Sequence, residues 1–519
     1  MKNRIKINHG LASPTGTTAR TTAHAPAPAR TTAQYFGFLL PVLIAGCASW
    51  QAPLLSPPIA TPITPPTAWQ SPLPHNGKVA DLGNWWAGLN DPLLVQLIDA
   101  AQATSGTLAD ARARIAQARA TRVGAGASRG PMLDASASAS RGVQQPGNGP
   151  ATSLGLGVQA SWEADLFGGK AAASNAAQAR LDGAQAAWHD ARVLVAAEVA
   201  AQYLSQRNCE AQLAVITADA KSRADSAQLA ELTAKAGFSA PATAALARAS
   251  AADGAARVTE QRAQCQRDVL ALAAVIGAPQ DQIQAVLKNN PPINPELFNR
   301  TTLFPIATLP ADVIAQRPDV FQAERELAAS SSDVTSTDAL RLPRVSLSGS
   351  IGAARVSGGG GGGGGMGMTS DGATWSIGPL AITLPLYDGG ARAANVQAAQ
   401  ARYDAAAMQY RSKARQAIAE VEIALLNLQS TASRQGDSQA AALGYRASFT
   451  ATQARYRAGL GSLVELEDAR RTSLAADIAL INLQRDRVAA WISLYRAAGG
   501  GWTVAGNGVA PAVSSLSKP

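Results

Sequence analysis

From Gly390 to Gly499 the chain runs almost without a helix breaker, and the same run has already occurred once upstream. From Tyr403 an apolar stripe passes through Ala407, Tyr410, Ala414, Ala417, Val421, Ala424 and Leu428. The spacings alternate four and three. That is the seam of a coiled coil, in which one face must stay aimed at a neighbouring helix. The pattern stops at Ala458-Gly459-Leu460-Gly461-Ser462 and resumes through Leu474, Ile478, Ile481, Val488, Ile492 and Tyr495, with Arg485 out of step. The stretch therefore reads as a helix, a sharp tip and a second helix returning.

The earlier copy lies 222 positions upstream: Ala197-Glu198-Val199 matches Ala419-Glu420-Val421, Ala236-Gly237-Phe238 matches Ala458-Gly459-Leu460, and Gly277 matches Gly499. Neither copy has gained a residue between these points. A repeat of this length takes precedence over any other fold reasoning. The first helix of copy one, Lys170 to Ala236, has 67 residues, about 100 Å at 1.5 Å per residue. Such a helix crosses a wide space rather than filling a globular core.

Before each hairpin come a helix and two strand-like runs. Asp91-Pro92 starts a helix to about Arg122, with a break signal at Ser105-Gly106. The runs Leu133 to Ser140 and Leu154 to Trp162 follow, each about ten residues long, one face apolar and the other small or polar. In the second half a helix runs from Pro318 to about Leu340. The strands Val345 to Ala353 and Trp375 to Tyr387 come next, with a phase change at Pro379 and eight glycines, Gly358 to Gly365, as a loop between them. Strands of this kind carry the weak signature of an outer-membrane barrel. Four strands cannot close a barrel, and open edges in lipid are forbidden because their backbone groups find no water. Closure requires other chains: two would give eight strands and a filled interior, three would give twelve and room for a duct.

The N-terminus is basic, then apolar from Tyr35 to Gly46, too short to span a bilayer. It ends Leu43-Ile44-Ala45-Gly46-Cys47, which resembles a bacterial lipoprotein cleavage box. The resemblance implies cleavage before Cys47 and lipid on that residue. Ala48, in place of an acid, points to the outer membrane. The net charge of +9 misleads: Lys2, Arg4, Lys6, Arg20 and Arg30 precede Cys47 and no acid does, leaving 40 bases against 36 acids. That balance carries no nucleic-acid footprint.

Several motifs are specific together. They are Trp85-Trp86 with Asp91-Pro92, Trp162-Glu163-Ala164-Asp165-Leu166-Phe167-Gly168, and Leu309 to Val320 around Arg317-Pro318-Asp319. Leu384-Pro385-Leu386-Tyr387-Asp388-Gly389-Gly390 and Tyr456-Arg457-Ala458-Gly459-Leu460 complete the set. With them the mature chain resembles the TolC-like outer-membrane efflux proteins, in their lipoprotein (OprM/NodT-type) branch. The resemblance implies a mainly α fold with membrane β: two tandem repeats of helix, strand, strand and long helical hairpin. It implies a homotrimer whose 12-stranded β-barrel in the outer-membrane lipid continues as a 12-helix α-barrel tunnel. Its implied partners are a periplasmic adaptor and an inner-membrane pump, proton-driven, for export of drugs, solvents or metal ions. A type I protein-secretion duct of the same fold is the alternative; a poreless coiled-coil lipoprotein is disfavoured by the strand pairs.

The expected organisation is a signal peptide at 1–46, a lipidated Pro-rich tether at 47–83, repeat 1 at 84–278, an irregular linker at 279–316, repeat 2 at 317–499 and a flexible tail at 500–519. No catalytic, cofactor or metal site is expected. His9 and His24 lie in the leader, His75 in the tether and His189 alone on a long helix, and no Cys/His cluster has zinc spacing. The octaglycine run lacks the Lys-Ser/Thr of a phosphate loop. The tips Gly237, Phe238 and Ser239, and Gly459, Leu460, Gly461 and Ser462, are expected to meet the adaptor, because exposed apolar residues at a turn call for a cover. Glu465, Glu467 and Asp468 are candidates for the periplasmic gate. Finally, Gly237 lies midway between Cys209 and Cys265, which places the two cysteines level on antiparallel helices. In an oxidising periplasm they are expected to form a disulfide.

Overall fold

The computed structural model describes Trp86, residues 91–143, 150–290, Ile314, 317–358 and 370–502. Helix α1 (Pro92–Thr104) starts on Asp91, whose carboxylate accepts from the backbone N–H groups of Leu93 and Leu94 at 3.0 and 3.2 Å. Pro92 fills the first turn, where a missing N–H costs nothing. Ser105 ends α1 and caps α2 (Gly106–Ala127) by accepting from Leu108 N. The break signalled at Ser105-Gly106 thus separates two helices, and the second runs past Arg122 to Ala127. Strands β1 (Met132–Gly142) and β2 (Ala151–Ala164) lead into α3 (Gly169–Lys235), which turns back as α4 (Pro241–Ile276). A short α5 (Gln280–Asn289) and α6 (Pro318–Ala339) precede β3 (Arg344–Gly358) and β4 (Ser370–Thr383). Helix α7 (Ala391–Arg457) and its return α8 (Leu463–Ala497) complete the second copy.

Helices α3 and α7 both have 67 residues, and their ends keep the repeat spacing. Their caps do not. Asp165 accepts from Lys170 N and Ala171 N, whereas Asp388 accepts from Gly390 N and Arg392 N, one position out of register with the repeat. The same need, a carboxylate over orphan N–H groups at a helix start, is met from two places. The coiled-coil stripe is visible in burial: Tyr403, Ala414, Ala417, Val421, Ala424 and Leu428 are buried and Arg485 is exposed.

In the long-helix layer α3 packs along α4, α7 along α8, and α8 against α3, so the row reads α4, α3, α8, α7. Toward the sheet, α6 packs between α3 and α7. The largest core sits between these levels, where Leu94, Val199, Leu272, Leu425, Trp491 and Leu494 are fully buried. Each such side chain contributes about 1.5–3 kcal/mol on burial. The region expected to be an irregular linker contributes to this core. In α5, Ile283 and Leu287 lie one helical turn apart and both are buried. The tail expected from residue 500 likewise begins ordered, with Trp502 buried against Phe321 and His189. No single helix among the described residues is long and apolar enough to cross a membrane.

The four strands form one antiparallel sheet in the order β1-β2-β3-β4, with β2 and β3 joining the two copies. They have 11, 14, 15 and 14 residues, longer than the ten expected. The expected phase change appears as a register shift between Leu347 and Gly349 on β3, opposite the Gly378-Pro379 segment of β4. Among the described residues β1 and β4 each have one partner.

Arg317 explains its motif. It is buried, and its Nε and Nη2 donate to both carboxylate oxygens of Asp319 at 2.9 Å. The same guanidinium donates to Glu420 on α7 at 2.8 Å and to the Ala497 carbonyl at the end of α8 at 3.1 Å. One planar fork therefore joins the start of α6 to α7 and α8. Arg317→Ala leaves Asp319, Glu420 and a helix-terminal carbonyl without their cation. Losing one partner of a buried pair typically costs about 3–5 kcal/mol. The thermal midpoint of the detergent-solubilised protein is expected to drop accordingly, with Arg317→Lys failing to restore it; an unchanged midpoint would show that the clamp carries little.

Candidate functional site

The candidate surfaces are three: the two faces of the sheet, the hairpin tips and the helix contacts just above them. The strand register sorts the sheet into two faces. One face carries the rungs Leu133–Ala160–Gly349–Ile377, Ala135–Val158–Ile351–Trp375 and Ala137–Leu156–Ala353–Ala373. It is apolar, and its Leu133, Leu156, Ile351, Trp375 and Ile377 are exposed in the single chain. Near its helical end the Trp162 indole donates to the Arg129 carbonyl at 3.1 Å. From Leu156 to Ala164 the apolar rungs span about 26 Å along the strand, and the next rung pairs Leu154 with Arg355. The other face is made of serine and glycine. Ser350 and Ser376 hydroxyls meet across it at 2.9 Å, and the Ser138 hydroxyl lies over Gly155 so closely that a Cβ there would be 2.9 Å away.

At the far end of the hairpins the two tips are built alike. Gly237 and Gly459 take φ of +78° and +76°, the left-handed turn that glycine adopts without strain. Phe238 N then donates to Thr233 O, and Leu460 N to Arg455 O, both at 2.8 Å, closing each helix end. Phe238 is 87% exposed and Leu460 71%. Neither closes its own hairpin, so both are free to meet a partner. Ser239 is half-buried and bonds Thr233 at 3.1 Å. Ser462 caps α8 by accepting from Glu465 N, and the Glu465 carboxylate answers the Ser462 N–H. Gly461 fits against Tyr456 N and Arg455, where a Cβ would be 3.4 and 3.6 Å away.

Above the tips lies a buried ionic layer. Arg223 on α3 binds Asp219 at 2.7 Å and Glu467 on α8 at 3.0 Å. Ser250 on α4 accepts from Arg223 and donates to Glu467, both at 2.7 Å. Arg470 pairs with Glu467 and donates to Ser222 and Ser226 on α3, while Gln453 on α7 donates to the Ser222 hydroxyl at 2.8 Å. Arg470 is 1% exposed, and burial pushes its pKa below the usual arginine value against the opposing pull of Glu467 and Asp219. Gly254 makes room for the layer, since a Cβ there would stand 2.8 Å from Arg223 Cδ. Of the three acids picked out by sequence, only Glu467 is in this layer. Glu465 is spent on the cap, and Asp468 is exposed and paired with Arg471 at 2.6 Å.

Higher still, Cys209 and Cys265 are joined, with Cα atoms 5.5 Å apart. Amides surround them: Gln261 donates to Cys209 Sγ at 3.1 Å, and Gln212 donates to Asn482 of α8 at 2.7 Å. At the matching level of copy two, Arg487 donates to Gln435. Between α2, α3, α6 and α7 is a polar cavity of about 750 Å³ that includes Arg180, Asp190, Gln322 and Lys413. Burial, with Asp319 adding to it, pushes the Asp190 carboxyl up to about 6. A carboxyl raised in this way favours the fold in its protonated form, and that contribution is lost as pH rises through about 6. His189 is packed between Trp188 and Trp502, and burial lowers its pKa. No group of three potential metal ligands occurs among the described residues. Cys47 and most of the glycine run lie outside the described residues.

The family model "Outer membrane efflux protein" matches residues 97–278 and 309–500, and the chain belongs to that family. It is 30% identical over 441 residues to the outer membrane protein OprJ of Pseudomonas aeruginosa, covering 82% of this chain and 88% of OprJ. It is 29% identical over 425 residues to the solvent efflux pump outer membrane protein SrpC of Pseudomonas putida, covering 80% and 87%. The solved outer-membrane channel OprN superposes with a TM-score of 0.71 at 27% identity, over 86% of this chain and 99% of that one. The protein is thus an outer-membrane efflux channel of the TolC-like fold, from a family of channels rather than enzymes.

The ionic layer makes a direct prediction. Glu467→Gln keeps the shape but leaves Arg223 and Arg470 with Asp219 as their nearest carboxylate. Arg223 keeps Asp219 at 2.7 Å and Arg470 is left with Asp219 at 3.8 Å, so the loss is that of hydrogen bonds to a charged group, about 1.5–3 kcal/mol each. Amide hydrogen exchange across the first turns of α8 is expected to accelerate, while exchange near Trp491 stays slow. Equal protection in both proteins would mean that Glu467 is not what holds α8 to α3.

Proposed function

We propose that three copies close head to tail into one duct: a 12-stranded barrel in the outer membrane and a 12-helix tunnel in the periplasm. The observation that carries this is a coincidence of open edges. Strands β1 and β4 are the unpaired edges of the sheet, and α4 and α7 are the ends of the helical row. A patch on one side that meets a different patch on the other makes a heterologous contact, which closes into a ring. Four strands per copy keep β4 antiparallel to β1 of the next copy. The duct exports small molecules such as drugs, solvents or metal ions, with a periplasmic adaptor and a proton-driven inner-membrane pump supplying selection and energy.

In this reading the tips Gly237, Phe238 and Ser239, and Gly459, Leu460, Gly461 and Ser462, dock the adaptor, because Phe238 and Leu460 stand exposed on rigid turns. The gate lies just above them. Glu467 holds α8 to α3 through Arg223 and Arg470, while Glu465 and Asp468 are secondary contributors. Cys47 is the lipidated first residue, on a tether spanning 47–83, and the Cys209–Cys265 bond staples the hairpin above the gate. Closing a loop over a sequence separation of 56 contributes roughly 4 kcal/mol in the chain-entropy account.

The purified protein is expected to behave as a trimer and give discrete conductance steps in planar bilayers; trimers that never conduct would sink the duct. Leu460→Asp is expected to abolish efflux and crosslinking to the adaptor while conductance persists, and unaltered efflux would remove the docking role. Mass spectrometry of the unreduced, denatured protein should find acylated Cys47 as the first residue and no alkylatable thiol. Free thiols at Cys209 and Cys265, or an unmodified Cys47, would contradict the two assignments separately.

A further inference from the structure

The two faces of the sheet differ in more than polarity, and this bears on what the outer-membrane section lets through. On the hydroxyl face the rungs run Asp134–Gln159–Ser350–Ser376, then Ser136–Gly157–Gly352–Thr374, then Ser138–Gly155–Ala354–Gly372, then Ser140–Ser153–Val356. Below them is Met132–Ser161–Ser348. Among the described residues of these rungs Asp134 is the one ionisable side chain. Glu163 and Arg344 share the face but lie below the start of β1, at the helical end, and Glu163 has Lys170 at 3.8 Å. Apart from Met132 and Gln159 the side chains that project are short, and the glycines project nothing.

From this, and resting on the trimeric-duct reading above, we infer that the serine-glycine face is the duct wall and that Asp134 is the one charge on its described rungs from Met132 to Ser140. The wall is a hydroxylated, nearly neutral lining that passes small solutes of either charge, and Asp134 adds a weak preference for cations. The apolar face runs over the successive rungs from Leu156 to Ala164 and exposes Ile351, Trp375 and Ile377, so the other face is left for water. Hydroxyl groups bond water and polar solutes without fixing a sign of charge. A ring of one acid per copy in a wide aqueous duct is screened beyond a Debye length of ~10 Å at 0.1 M salt. Discrimination by charge is then left to the ionic layer and tips at the other end, and the outer-membrane section handles neutral, anionic and cationic cargo alike.

The test uses the full-length trimer in planar bilayers and liposomes, with single cysteines at Ser136, Ser138 and Ser348 on one face and at Ala137, Leu156 and Ile351 on the other. The probe is a membrane-impermeant quaternary-ammonium methanethiosulfonate, read by current and by mass. The three serine positions are expected to be labelled and to lose conductance, and the three alternate positions to resist labelling. The reverse pattern, or labelling of both faces alike, overturns the wall assignment in a channel that still conducts. For the charge, Asp134→Asn is expected to lower the cation-to-anion permeability ratio by no more than about two-fold at 0.1 M salt. Ser138→Arg, placing three cations in the wall, is expected to push the ratio toward anions. An unchanged ratio in both variants removes Asp134 and the wall as the charge-setting surface. A parent protein that never conducts instead fails the duct reading itself, which keeps the two failures apart.

Discussion

A strand edge exposed to hydrocarbon has no water to receive its N–H and C=O groups, and each unmet group costs several kcal/mol. Strands β1 and β4 are the edges of the described sheet, and the apolar face between them is exposed in the single chain. In the proposed ring another copy satisfies those edges. The sheet joins the two repeats through β2 and β3, which puts one edge on each repeat. The helices reproduce the same geometry below, with α4 of repeat one and α7 of repeat two at the ends of the row. In the proposed ring one rotation would satisfy both layers.

Much of this was legible in the sequence because it depends on periodicity. The seam from Tyr403 to Leu428 is set by a seven-residue rhythm, and the tips by glycine at positions needing positive φ, so both follow from residue type and spacing. The two cysteines were placed by the symmetry of a hairpin about Gly237, and the structure joins them. What could not be read depends on contacts between distant helices. Glu467 and Arg470, three residues apart, look like an ordinary solvated pair on a helix surface; only the approach of α3 shows that Arg470 is buried and that Glu467 is half-buried beside Arg223 and Asp219. Gly254 gave no signal for the same reason, since the atom it avoids belongs to Arg223. Helix α5 was missed because ten residues with two buried positions make too short a period, and Trp502 because a single aromatic in a glycine-rich end has no period at all.

The caps of α3 and α7 show the limit of repeat logic. The helices match residue for residue, yet Asp165 and Asp388 do not. What persists between the copies is the electrostatic requirement at a helix start, and the chain upstream of each helix follows its own path to meet it. Repeat arithmetic therefore transfers element boundaries well and individual side-chain roles poorly. The level of the cysteines makes the same point, because copy two has Thr431 and Arg487 there, with Arg487 bonded to Gln435 instead of a covalent link.

These layers also grade the hairpins from stiff to yielding. Around Trp491 the helices share a broad apolar core, which opens only at the expense of large buried area. Next comes the covalent link of α3 to α4, with Asn482 of α8 bonded to Gln212 beside it. Below that, α8 meets α3 chiefly through charges and hydroxyls, over a small cluster of Ala227, Ala230, Ala247, Leu463 and Leu466. A polar contact of this kind can be exchanged for water or for another charged surface at little net change, whereas an apolar core cannot. A partner that seats on Phe238 and Leu460 and brings its own polar groups to Glu467 and Arg470 would therefore loosen α8 without disturbing the levels above. On that reading the end that yields is the one where α8 meets α3 through contacts that water can replace.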